Sequence, residues 1–112
     1  MAPQPPPPSP INTKREELNE IFVGFLGTRR VYFQPDDKIN IQYPAIIYEM
    51  DDQDVIFADN LSHRRIDRYQ VTIIDRDPDV PARLLVEGLP LCTFSRAFSS
   101  EGLNHRIYSL YF

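Results

Sequence analysis

The sequence predicts an α+β domain: a mainly antiparallel β-sheet with two short helices packed on one face, in the order α-β-β-β-β-α-β-β. Three observations carry that expectation. Apolar residues between 18 and 26 recur at helical spacing, later runs are β-branched and aromatic, and turn residues punctuate the chain between those runs. With 112 residues, 42% of them hydrophobic and 25% charged, the chain has room for one domain of ordinary globular composition.

The opening MAPQPPPPSP holds six of the eleven prolines and no charge. Proline offers no N–H to a helix or ladder, so residues 1–12 are expected to form an extended arm ahead of a single domain at 13–112. A tail, a ligand for an SH3-like groove and an arm lying across a neighbouring subunit all fit that composition. Thr13-Lys14-Arg15-Glu16 fits a capping box, with the Thr13 hydroxyl accepting from a free backbone N–H and Glu16 reaching back. Leu18, Ile21, Phe22, Phe25 and Leu26 then form one apolar stripe, and Gly27 stands where a left-handed cap belongs.

Six runs read as strands: 30–34, 45–50, 55–58, 65–74, 91–98 and 105–112. PDDK, DDQD, DNLS and SSEGLN are the expected turns. Between the fourth and fifth runs, DVPARLLVEGL reads as a short second helix. Asp79 is expected to cap it, Pro81 to lie in its first turn, Leu84 and Leu85 to face inward, and Gly88 to end it.

The strand at 65–74 alternates as a half-buried strand should, with Tyr69, Val71 and Ile73 on one face. The last strand does not: Tyr108, Leu110 and Phe112 point one way, Ile107 and Tyr111 the other. The run 45–50 is also apolar on both faces. Two helices cover one side, so either the sheet curls or a neighbouring subunit covers the remainder. On the second reading Tyr108, Leu110, Tyr111 and Phe112 are expected at a subunit or tail interface. Arg64 and Arg65, in the basic spot SHRR (62–65), join that set. Ten arginines against two lysines point the same way, because guanidinium groups pair and stack at interfaces.

Several function classes are disfavoured. No apolar stretch approaches the roughly 20 residues that span a bilayer, and the N-terminus lacks the basic-then-apolar pattern of a secretory signal. A net charge of −4 argues against a protein that must neutralise duplex phosphates. One cysteine, Cys92, excludes a disulfide framework within the chain. Asp75, Asp77 and Asp79 could open a calcium loop, but its sixth position would be Val80 and its twelfth Val86, where glycine and glutamate are needed. These carboxylates are therefore expected to end a strand, make a turn and favour a helix start. His63 and His105 lack a second ligand at metal spacing. No P-loop, G-x-S-x-G or G-x-G-x-x-G occurs. No cofactor and no catalysis are expected.

VYFQP (31–35), YPAIIYEMDD (43–52), FADN (57–60), RYQVTIIDRDPD (68–79), LPLCTFSRAF (89–98) and LNHRIYSLYF (103–112), read together, resemble the tail-terminator (tail-completion) proteins of long-tailed bacteriophages. The resemblance runs from about Lys14 to the C-terminus and leaves out the proline-rich arm. It implies a ring of identical subunits, typically six, that ends tail-tube polymerisation and joins the tail to the head. Implied partners are the tail-tube protein and the neck or connector proteins, with DNA passing through the lumen unbound and a location in the virion tail or neck. Another neck component, a head-completion or head–tail adaptor protein, is the nearest alternative. A small metal-dependent hydrolase or nuclease built on Asp75, Asp77 and Asp79 is the remote one.

Overall fold

Helix α1 (Thr13–Leu26) leads into strands β1 (Val31–Phe33), β2 (Ala45–Ala58) and β3 (Ser62–Asp75). Helix α2 (Ala82–Glu87) follows, and then strands β4 (Cys92–Ser100) and β5 (Leu103–Tyr111). This computed structural model describes residues 13–58 and 62–112, with the backbone alone at Thr13, 56–58 and 62–64. The proline-rich arm and the Thr13 side of the expected capping box lie outside the described residues. The strands make one sheet in the order β1-β2-β3-β5-β4. Among the described strands only the β1/β2 pair is parallel. The architecture is the α+β sheet with two helices that the sequence predicts.

Both helices pack on one face. Leu18 and Phe22 of α1 are fully buried with Ile46 and Tyr48 of β2, Tyr69, Val71 and Ile73 of β3, and Tyr108 and Leu110 of β5. Val80, Ala82 and Val86 bring α2 into the same cluster, and Phe25 and Leu26 pack against it. The helix stops where expected. The Gly27 N–H donates to the Val23 carbonyl at 2.9 Å, and its φ of +78°, the left-handed conformation, then turns the chain out of the helix.

Three elements differ from expectation. The second and third predicted strands are one, because β2 runs unbroken through DDQD to Ala58. Asp51 accepts from Arg68 Nε at 2.9 Å, and Gln53 Nε2 donates to Asp67 at 2.7 Å. The polar side chains thus pair across to β3 instead of turning the chain. The register shift between Met50 and Asp52 absorbs the extra residue as a bulge.

Helix α2 turns its other side to the sheet. Ala82 and Val86, at i and i+4, are buried, whereas Leu84 and Leu85 are exposed. Six residues make less than two turns, so the sequence pattern cannot phase the helix; entry through the buried Val80 does. Pro81 takes the N-cap position with no side-chain cap bond, so Asp79 is not the cap. It pairs instead with Arg83 at 3.6 Å.

Strand β5 lies inside the sheet between β3 and β4. Tyr108 and Leu110 are 0% exposed in this single chain. That removes both from the expected subunit interface, since side chains already in their own core cannot cover a neighbour. Tyr111 and Phe112 keep part of their surface.

The depth of the α1 stripe sets a stability expectation. Phe22→Ala should lower unfolding free energy by about 3–5 kcal/mol, and exposed Lys14→Ala by well under about 1 kcal/mol, in urea melts followed by circular dichroism. Equal losses would mean the helix face is misassigned.

Candidate functional site

The acidic run resolves into backbone turns. Asp75 Oδ1 accepts from the Asp77 N–H at 3.2 Å, and Asp77 Oδ1 from the Asp79 N–H at 2.9 Å. Each carboxylate thus mimics a backbone turn two residues on. Among the described residues no group of three His, Cys, Asp or Glu side chains is placed to hold a metal ion.

The side chains of His63 and Arg64 lie outside the described residues; Arg65 is exposed on β3. His105 stacks on Phe98 with ring centroids 4.5 Å apart. Burial, then the nearby Glu87 charge, pushes the Cys92 thiol up, which disfavours the thiolate a nucleophile needs. Glu16, expected in the capping box, is exposed and lines an open cleft of about 450 Å³ with Arg15, Asn19, Glu20, Phe33 and Tyr48. Arg15 sits over the Phe33 ring at 4.4 Å, and the Tyr48 hydroxyl is engaged by Asn19. The cleft gathers one cation, two carboxylates and a committed phenol, an arrangement with no nucleophile–base pair.

The surface least explained by the monomer is the β4 edge. Every residue of β4 after Cys92 is exposed. Phe94 (50% exposed) and Phe98 (44%) stand on opposite faces of the strand. Pairings fix those faces: Phe94 opposes core Tyr108, while Phe98 opposes His105 on the side away from the helices. Arg96 shares that second side and lies 5.6 Å from the Phe98 ring. Leu91, which leads into β4 with φ +60°, is 64% exposed. Exposed Leu84 and Leu85 belong to α2, which packs beside β4. An edge strand and a neighbouring apolar helix face together are the kind of surface that other chains cover. Sequence reading placed this surface on β5. The missed signal was charge: β4 carries Arg96 and no carboxylate.

No protein-family model matches the chain, and a search of curated proteins likewise finds no match.

Two buried phenols give the site's surroundings a pH signature. Burial above all pushes Tyr48 up to about 12. Burial and then the hydrogen bond to Glu87 push Tyr108 up to about 12. An unfolded tyrosine titrates near 10. The native state therefore holds these protons more tightly, and stability is full below about pH 10 and falls as pH rises through about 12. Tyr48→Phe and Tyr108→Phe should each flatten that fall in denaturant melts taken across the window. Each should also cost about 1 kcal/mol at neutral pH through the lost hydrogen bond. An unchanged slope in both variants would show that other groups govern alkaline unfolding.

Proposed function

We propose that the protein is a non-enzymatic ring component of a long-tailed bacteriophage neck, ending tail-tube polymerisation and joining the finished tail to the head. The observation that carries this reading is β4, an edge strand of nine residues that presents two phenylalanines and a single charge to solvent. A surface of that kind suits permanent contact with another subunit better than solitary existence. The resemblance of residues from about Lys14 onward to tail-terminator proteins supports the same occupation. The net charge of −4 suits a lumen through which DNA passes without sticking. The partners on this reading are further copies of the chain, six being the number the resemblance implies, the tail-tube protein, and the connector above it. No helix among the described residues is long and apolar enough to cross a membrane.

The test is light scattering with negative-stain imaging, alone and with polymerising tail-tube protein. Closed rings, and tubes ended by those rings, are the expected result. Protein that stays monomeric at high concentration, even with the tube protein present, overturns the proposal.

A further inference from the structure

The sheet has a second free edge. Strand β1 pairs with Ile46, Ile47 and Tyr48 of β2, so residues 49–58 of that strand, ten in all, have β3 on one side and, among the described residues, no strand on the other, with the Gln34 side chain accepting from the Met50 N–H at 3.4 Å. This stretch and β4 differ in charge. Residues 49–55 contain Glu49, Asp51, Asp52 and Asp54 and no cation. Strand β4 contains Arg96 and no anion.

We infer that β4 of one copy adds to the free stretch of β2 in the next copy, which extends the sheet from subunit to subunit. The inference rests on the ring reading and names the contact that closes it. Strand direction allows it. Pairing from β2 through β3 and β5 to β4 is antiparallel at every step. So β4 runs opposite to β2, and a copy placed beside it in the same orientation meets it antiparallel, the hand in which most sheets are built. Length allows it too, with nine residues in β4 facing the ten of 49–58.

Charge selects it. Asp52 opposes Arg68 and Asp54 opposes Ile66, which puts both aspartates on the face away from the helices. Arg96, opposite Ile107, is on that same face. A continued sheet keeps the two faces distinct, so Arg96 meets the aspartate side of its neighbour. Pairing β2 with a second β2 would set two acidic stretches side by side, each offset only in part by the Arg68 that bridges Asp51 and Asp52, which is destabilising across strands. Pairing β4 with a second β4 would leave the acidic edge unused. Only the unlike pairing satisfies both edges, and a head-to-tail contact of this kind closes into a ring where its rotation allows.

Two measurements on the full chain test it. Hydrogen exchange on the unaltered protein, across a concentration series, should show amides of β4 and of residues 49–55 gaining protection together as assembly proceeds. Arg96→Asp and Asp54→Arg should each raise the concentration for half-assembly by about tenfold, and the double exchange should restore it, with circular dichroism unchanged throughout. Assembled protein whose β4 amides still exchange freely, and whose assembly ignores both substitutions, overturns this contact and leaves the ring standing. A chain that never assembles, alone or with the tube protein, overturns the ring and this contact with it.

Discussion

The fold depends on the burial of tyrosine. Tyr48, Tyr69 and Tyr108 sit on three adjacent strands, each at most 1% exposed, on the face that both helices cover. A buried ring contributes large apolar area, but its hydroxyl is costly to leave without a partner. The helices meet that demand for two of the three. The Tyr48 hydroxyl donates to Asn19 of α1 at 2.8 Å, and the Tyr108 hydroxyl donates to Glu87 of α2 at 2.7 Å. Phe22 then meets Tyr48 edge-on with centroids 5.3 Å apart, and Phe33 lies 5.1 Å from the same ring. Helix α1 is thus held by ring packing at one point and by a directional hydrogen bond at another, and α2 by burial of Ala82 and Val86 beside its hydrogen bond at Glu87. A helix free to slide along the sheet would break its hydrogen bond.

That arrangement decides what the rest of the surface can be. With both helices committed to one face, the other is finished mostly in polar side chains. Arg68 bridges Asp51 at 2.9 Å and Asp52 at 3.6 Å there, and Gln70 donates to Glu49 at 3.2 Å. These pairs are solvent-exposed and individually weak. Their effect is on specificity, since they fix the register of the β2–β3 hairpin, whose Met50 and Val55 are exposed. That polar face is therefore largely satisfied within one chain, with Phe98 at the β4 edge the exception. What stays open is lateral, in the backbone groups of the sheet's two edges.

The sequence was legible where local pattern and burial coincide. Leu18 and Phe22 follow from helical spacing, Gly27 from the conformation its position demands, and Tyr69, Val71 and Ile73 from strict alternation. It was misleading where pattern is short or partners are distant. The residues DDQD carry turn composition, yet Arg68, seventeen residues away, supplies the cation that makes Asp51 a strand residue. In α2 the contiguous pair Leu84-Leu85 gives no phase, and Val80 sets one that turns both outward. The edge was misplaced for the same reason. Nothing local says that β5 enters between β3 and β4, so the aromatic C-terminal strand looked exposed when it is the middle of the core.

The two lateral edges are protected unequally, and that inequality bears on what they are for. Natural sheets blunt free edges with charge, bulges or short strands. The β2 stretch has carboxylates and a bulge at Met50/Asp52; β4 has a bulge at Phe94/Arg96 but keeps two exposed phenylalanines and one arginine. Protection of both would suit a solitary domain, and exposure of both would invite indiscriminate pairing. An acidic edge that repels its own kind, set against a nearly uncharged edge with a lone cation, instead discriminates. It discourages the acidic edge from pairing with its own kind and favours its pairing with an edge that carries a cation, a bias toward the unlike contact.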